Sequence, residues 1–277
     1  MSSKSSQKAL ISEFCDLTGA PEKLAQKFLK AAAWQKDVAV DKPTLITTFS
    51  DSYFTSATSG TPSQKNSLSN LFEQYHESKD EKDKLGVDGV MRYLGDLGVD
   101  LATAEIFIPL EIVKAPGLGE ITKSGFVDGW GATGQVSNDQ LSKQKKFVAS
   151  QIKKMSTDDS LFKRVYRHAF FASKEISQKA IPLENAIIYW TLLFNPPGKR
   201  WASESVDWLQ LWTDFLQENW TKTVNKDMWN QTLEFFQKSM QDESLSFWSE
   251  DGAWPGVIDD FVAYVKPKLQ TSVMETD

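Results

Sequence analysis

Cysteine and histidine are scarce in this sequence. Its 277 residues include one cysteine, Cys15, and two histidines, too few for an internal disulfide or for a Cys/His zinc site. Chains without a disulfide framework are typical of reducing compartments, so we expect a cytoplasmic or nuclear protein.

Long apolar runs are missing as well. The longest spans residues 186–194, well short of the ~20 residues that cross a bilayer. No apolar signal segment follows the polar N-terminal residues, and Ser2 stands where N-myristoylation needs a glycine. We therefore expect no membrane partner.

The sequence also lacks an excess of basic residues. Lys and Arg number 31 against 37 Asp and Glu, for a net charge of −6, whereas proteins that grip phosphate backbones need concentrated positive charge. A lysine stripe within residues 143–154 is interpreted as the solvated face of a helix. We expect no nucleic acid partner.

What the chain does contain is apolar residues at helical spacing. Period-2 alternation is absent, which predicts an all-α fold, and ten Trp with 17 Phe predict an aromatic core. Residues 7–49 are predicted to form a small three-helix domain. Residues 50–67, with a run of Ser, Thr, Gly and Pro, are predicted to be a flexible linker. Residues 68–270 are predicted to form a larger helical domain, and residues 271–277 a disordered tail.

Two segments resemble EF-hand loops that have lost their ligands. In residues 78–90, the two possible registers put Arg92 or Met91 at the twelfth position, where calcium needs a bidentate Glu. The second segment, residues 114–121, carries Lys114 at a ligand position. We therefore expect helix–loop–helix pairs that bind no metal.

Neither histidine stands in a catalytic motif. No nucleophile elbow, P-loop or dinucleotide fingerprint accompanies His76 or His168, and Cys15 is interpreted as a buried thiol. We expect no catalytic residues, no cofactor and no enzymatic activity of its own.

Two helix starts near the end of the chain carry acidic residues. Asp227 falls in the first turn of a helix predicted within residues 223–230, and Asp259 about one turn into another within 250–261. A carboxylate in a first turn stabilises a helix by about 0.3–1 kcal/mol through the helix dipole. From the residues alone, a purely structural role and a binding role both remain open.

Three motifs resemble the "defective in cullin neddylation" family. They read Gly-Ala-Trp-Pro-x-x-Ile-Asp-Asp-Phe at 252–261, Asn-Lys-Asp-x-Trp-Asn at 225–230 and Ala-Ile-x-Tyr-Trp at 186–190. The resemblance covers about residues 68–269, the potentiating-neddylation domain, which in this family contains degenerate EF-hand-like pairs. The N-terminal unit is similar to a ubiquitin-associated domain.

The resemblance implies a scaffold-type ligase accessory without a nucleophile of its own. Such a protein binds the C-terminal winged-helix region of a cullin together with the conjugating enzyme that carries the ubiquitin-like modifier, and so promotes transfer to the cullin lysine. Asp227, Ala253 and Asp259 match the cullin-binding patch of the family.

The family also binds the acetylated N-terminal Met of the conjugating enzyme in an apolar pocket. Acetylation removes an ammonium that would be costly to bury. By resemblance, the pocket would be lined by Val87, Val90, Ile106, Leu110, Ile121 and Leu192.

Ubiquitin is a further candidate partner, through the N-terminal domain. The alternative function is accordingly a ubiquitin-binding adaptor whose helical domain recruits an unrelated client.

Overall fold

The computed structural model describes two units of the chain, residues 1–59 and residues 60–277. In the second unit it describes residues 62–134, 140–175 and 177–274, with side chains up to residue 269. In the first it describes residues 7, 8, 10–12, 25, 26, 29, 30 and 34.

The described part of the first unit is largely helical. Residues 7–8, 10–12, 25–26 and 29–30 have helical backbone, and Ile11, Ala25 and Leu29 are buried. The predicted three-helix arrangement of residues 7–49 lies mostly outside the described residues, as does the predicted linker up to residue 61.

The second unit is helical, as the sequence predicts. A short 3₁₀ turn, Ala104–Ile106, leads directly into α3. The α-helices of its described residues are α1 (Pro62–Glu73), α2 (Val87–Leu97), α3 (Phe107–Ile112), α4 (Lys123–Ala132), α5 (Gln140–Lys154), α6 (Asp159–Ser173), α7 (Leu183–Leu193), α8 (Trp208–Asn219), α9 (Lys226–Ser239) and α10 (Gly256–Met274).

The ends of this helical unit differ from the predicted domain limits. Helix α1 already begins at Pro62, so the prediction of a flexible linker is wrong for residues 62–67. Proline is accepted in a first helical turn, and polar residues beyond it can face solvent without breaking the helix. Helix α10 likewise runs to Met274, so residues 271–274 are not a disordered tail. Once a helix has formed, each further residue adds a backbone hydrogen bond, so the helix does not have to end where its apolar pattern ends.

Polar side chains cap the starts of helices α6, α8 and α9. Asp158, Asp207 and Asn225 accept hydrogen bonds from backbone N–H groups of the first turns of α6, α8 and α9, at 2.9, 3.0 and 2.8 Å. Each cap satisfies a donor that the helix itself leaves free, and each fixes where its helix begins.

Two minimal β-ladders connect the loops between helices. Strand β1 (Lys84–Leu85) pairs antiparallel with β2 (Ile121–Thr122), and β3 (Ala180–Ile181) pairs antiparallel with β4 (Val224–Asn225). The first ladder joins the α1–α2 loop to the α3–α4 loop, and the second joins the α6–α7 loop to the α8–α9 loop. The unit is therefore built from two pairs of helix–loop–helix segments.

The loops at residues 78–90 and 114–121 contribute to the first of these pairs. Throughout the described residues, no group of three or more His, Cys, Asp or Glu side chains is placed to hold a metal ion. The likeness to EF-hands and the absence of calcium binding stay predictions.

A hydrogen-bonded aromatic cluster lies at the centre of the second pair. The buried Tyr166 hydroxyl of α6 donates to the backbone oxygen of Trp229 at 2.8 Å and accepts from Trp190 Nε1 at 2.7 Å. In return, Trp229 Nε1 donates to the backbone oxygen of Tyr166 at 2.9 Å. The Trp229 ring stacks on Tyr166 and on Trp190, with centroids 4.8 and 5.1 Å apart. Helices α6, α7 and α9 are thereby locked together.

We predict that Tyr166→Phe lowers the free energy of unfolding by about 1–3 kcal/mol. The substitution leaves the buried Trp190 Nε1 without an acceptor, and an unsatisfied buried group costs about 1–3 kcal/mol. The backbone oxygen of Trp229 lies inside α9 and keeps its helical donor. Denaturant unfolding measures the loss. Tyr264→Phe is the matched control, because that hydroxyl bonds to Glu218 at the exposed surface. Equal losses for the two variants would contradict the central role of Tyr166.

Candidate binding surfaces

Asp227 is presented at the start of α9 by the residues on either side of it. The Asn225 side chain caps the helix, while Trp229, two positions beyond Asp227, is fully buried in the aromatic cluster. The chain therefore has to turn Asp227 outward, and its side chain is exposed. In the described structure, no hydrogen bond or ion pair engages its carboxylate.

Ala253 lies exposed in the turn that leads into α10. The turn closes through a hydrogen bond from Gly252 N to Ser249 O of 2.9 Å, and a Cβ on Gly252 would lie only 2.8 Å from that oxygen. The next residue, Trp254, packs against Phe235 of α9 and Phe247, at centroid distances of 5.9 and 6.1 Å. The small Ala253 side chain is therefore held at the surface by a rigid turn.

Asp259 occupies the first turn of α10 and is half-buried. Its Oδ1 accepts a hydrogen bond from Trp248 Nε1 at 2.9 Å. Its neighbour Ile258 is completely buried, which fixes the rotation of the helix about its axis. The carboxylate thus stands at the border between core and solvent.

These three residues lie at or just before the starts of two helices, α9 and α10, which pack against each other through aromatic rings. Phe261 of α10 contacts Phe235 of α9 at 5.5 Å, so the segment carrying Ala253 and Asp259 rests directly on α9. Asp227 begins that same helix, and no hydrogen bond or ion pair joins it to the other two in the described structure. We call Asp227, Ala253 and Asp259 the acidic patch.

The six apolar residues predicted to line a pocket divide into two groups. Val90, Leu110 and Ile121 have at most 1% of their surface exposed and belong to the core. Val87 is 59% exposed, and Ile106 and Leu192 are half-buried. Only this second group is available to a ligand as the structure stands, and the lining role of all six stays a prediction.

Two exposed apolar residues missed by sequence reasoning flank these positions. Met91 follows Val87 one turn later on α2, and Ile188 precedes Leu192 by one turn on α7, with 52% and 54% of their surfaces exposed. The Phe107 ring at the start of α3 lies 6.0 Å from the Tyr189 ring of α7, which places α3 beside α7. Exposure of this kind depends on packing, and the helical spacing gave no separate signal for it.

The histidines occupy unrelated places. His76 lies after α1, with Nε2 3.2 Å from the backbone oxygen of Glu81. His168 of α6 has a buried Nδ1 atom and lies near Lys114 and Glu111. Cys15 falls outside the described residues. Within the described part of the chain, neither histidine is hydrogen-bonded to a hydroxyl or thiol that could serve as a nucleophile.

The surroundings of His168 have an electrostatic consequence. Burial, aided by the Lys114 ammonium and opposed by Glu111, lowers the pKa of His168 to about 4. Glu111 is itself buried and ion-paired with Lys114 and, at 3.6 Å, with Arg164 Nε. Although burial alone would raise the pKa of Glu111, these cations lower it. The cluster is therefore built around a neutral histidine and a charged carboxylate.

The described residues include no helix that combines the length and the apolarity needed to cross a bilayer. The lysines of α5 are exposed, as expected for a solvated face.

The chain matches two protein-family models and is similar to several known proteins. A family model described as "Cullin binding" matches residues 143–264, and one described as "UBA-like domain" matches residues 8–42. The chain is 44% identical over 277 residues to Defective in cullin neddylation protein 1 of Pyricularia oryzae, covering 95% of this chain and 94% of that protein.

Two further proteins match this chain at lower identity. Defective in cullin neddylation protein 1 of Yarrowia lipolytica is 29% identical over 90% of this chain and 92% of its own length. DCN1-like protein 5 of Homo sapiens is 28% identical over 72% of this chain and 77% of its own length.

The fold and the domain matches define a mostly helical protein with a UBA-like N-terminal domain followed by a cullin-binding domain. At the level of identity found with the Pyricularia oryzae protein, the chain belongs to the defective in cullin neddylation protein 1 family.

We predict that His168 makes the fold sensitive to acid. Between pH 6.5 and about 4 the unfolded chain binds a proton at His168 that the folded chain does not, so its contribution to stability is complete above pH 6.5 and is lost as the pH falls. His168→Gln should therefore show a shallower fall in unfolding free energy across this window than the wild type.

Denaturant unfolding at several pH values measures this difference, and His76→Gln shows what losing a histidine elsewhere does. Parallel profiles for the wild type and His168→Gln between pH 6.5 and 4 would refute the assignment.

Proposed function

We propose that this protein is a non-catalytic scaffold of cullin neddylation. In this proposal the acidic patch binds the C-terminal winged-helix region of a cullin. The apolar surface around Val87 and Leu192 binds the N-terminally acetylated conjugating enzyme that carries the modifier. The amine of the cullin lysine then attacks the thioester carbonyl, and the thiol of the conjugating enzyme leaves. No side chain of this protein takes part in that step.

The observation that carries the proposal is the position of the acidic patch. All three residues fall inside residues 143–264, which match the cullin-binding family model, and all three are accessible at rigid helix starts. Two carboxylates beside a small apolar residue suit a basic surface, because the acids pair with Arg or Lys and the small side chain permits close approach.

The apolar surface supports the second half of the proposal. Val87 and Met91 on α2 and Ile188 on α7 expose large apolar side chains that nothing in the described structure covers. An acetylated Met suits such a site because it offers an apolar side chain and an uncharged amide in place of an ammonium, whose burial would be costly.

The gain in rate follows from proximity. Holding the lysine and the thioester on one rigid unit turns an encounter of two partners into a reaction within one complex, and restricts its geometry. This mechanism requires the two binding surfaces to be independent, so that both are occupied at once.

We predict that Asp227→Ala and Asp259→Ala each weaken binding of a cullin C-terminal fragment by at least about tenfold. Truncating one partner of a buried charge pair costs about 2–5 kcal/mol of affinity. Ala253→Arg should be worse still, because it places a bulky cation against a basic partner. Titration calorimetry gives the affinities, and melting temperature reports folding.

Glu184→Ala is the matched control, since Glu184 is also an exposed acid in the first turn of a helix, α7. It removes the same helix-dipole interaction from outside the acidic patch and should leave cullin binding unchanged. A folded Ala253→Arg protein with wild-type affinity for the fragment would overturn the assignment of the acidic patch.

We also predict that a peptide with the N-terminal sequence of the conjugating enzyme binds more than about tenfold more tightly when its Met is acetylated. Val87→Glu should abolish this preference by placing a charge in the apolar surface while sparing cullin binding. Met240→Glu, which alters an apolar residue 37% exposed elsewhere, is the control. Fluorescence anisotropy with the labelled peptide pair provides the measurement, and equal affinities would remove the acetyl group from the mechanism.

The match of residues 8–42 to a UBA-like domain favours one second function, the ubiquitin-binding adaptor. The two functions differ in which unit is essential. A scaffold keeps most of its effect on cullin modification without residues 1–59, whereas an adaptor loses its client function.

A further inference from the structure

The carboxylate of Asp259 is oriented by a neutral donor that comes from outside its own helix. Trp248, in the loop between α9 and α10, donates its indole N–H to Asp259 Oδ1 at 2.9 Å. No other donor engages this side chain in the described structure, so Oδ2 remains available. An indole carries no charge, so this hydrogen bond places no positive charge beside the carboxylate.

The same indole is held on its face by a lysine. Lys266 Nζ lies 4.3 Å from the centroid of the Trp248 ring, well within the range of a cation–π interaction. Lys266 follows Asp259 by seven residues on α10 and so lies on the same side of the helix, roughly 10 Å along its axis. Trp248 thus bridges two turns of α10, with its edge on the acid and its face on the cation.

This arrangement separates the cation from the acid. A lysine paired directly with Asp259 would neutralise the charge that a basic partner needs, whereas here the ammonium rests on the ring. The other acid of the patch differs, because no hydrogen bond engages the carboxylate of Asp227 in the described structure. Of the two acids, only Asp259 is fixed in orientation before binding.

We propose that Trp248 is a positioning residue for cullin recognition. By holding Asp259 Oδ1, it fixes the side-chain rotamer and turns Oδ2 towards the partner, so less conformational freedom is lost on binding. This inference rests on the proposed cullin-binding role of the acidic patch and adds to it a residue outside the three matched positions.

The test uses the full-length protein and a cullin C-terminal winged-helix fragment. Trp248→Phe keeps a six-membered aromatic ring for Lys266 and removes the N–H donor together with the five-membered ring that carries it. We expect it to weaken the fragment's affinity by about threefold to tenfold, the range of a single hydrogen bond, with little change in melting temperature. In an Asp259→Ala background, Trp248→Phe should cause no further loss, because the group through which it acts is gone.

Trp220→Phe is a closely matched control. Trp220 also carries a lysine over its ring, Lys222 at 5.1 Å, but its buried Nε1 donates to no partner in the described structure. This variant should bind the fragment as the wild type does.

The outcomes separate the inference from the proposed function. Wild-type affinity in Trp248→Phe, alongside weak binding in Asp259→Ala, overturns the role of Trp248 alone. Undiminished binding in Asp259→Ala overturns the proposed acidic patch itself. An equal loss from Trp248→Phe with and without Asp259 shows that Trp248 acts by another route, which also overturns the inference.

A second measurement needs no Trp248 variant, in case Trp248→Phe folds poorly. In ¹⁵N-labelled protein, the Trp248 indole N–H resonance should shift when the fragment is added and should exchange faster with solvent in Asp259→Ala. An indole signal that Asp259→Ala leaves unchanged would contradict the inference.

Discussion

The hydroxyl of Tyr166 connects three helices of the second unit, α6, α7 and α9. Because this hydroxyl is buried, it needs hydrogen-bond partners inside the protein. It accepts from the Trp190 indole of α7 and donates to the backbone oxygen of Trp229 in α9. Burial raises the pKa of Tyr166 well above 10, so the donor is present at any physiological pH. Because Trp229 is fixed two residues beyond Asp227, the packing of the core determines how Asp227 is oriented towards solvent.

The two candidate surfaces use the rigidity of this core in different ways. The acidic patch stands at the starts of α9 and α10, where side-chain caps and buried aromatics determine which residues face solvent. The apolar surface consists of side chains that α2 and α7 leave uncovered, Val87 and Ile188 among them. A scaffold that must hold two partners in a fixed relation is well served by surfaces on packed helices rather than on loops.

Much of the fold could be predicted because the spacing of apolar residues along a helix indicates which of its faces is buried. The aromatic core that the composition predicts includes the fully buried Trp190 and Trp212, and Asp227 lies in the first turn of its helix as predicted. Local patterns could not show where α1 begins, since a polar helix and a linker have similar composition. Nor could they reveal the bond from Trp248 to Asp259, because it depends on how a loop folds back over α10. The acidic patch itself was recognised only through resemblance to a family, since helix-dipole stabilisation explains an acidic first turn equally well.

The bridging mechanism is tested most directly by the concentration dependence of the reaction. Single-turnover transfer of the modifier from its conjugating enzyme to a cullin C-terminal fragment should be followed as this protein is raised from far below to far above both partners. A bridge gives a rate that rises, reaches a maximum and falls, because at excess the two partners occupy separate copies of the scaffold. A rate that climbs to a plateau and stays there would contradict bridging and would place the effect on one partner alone.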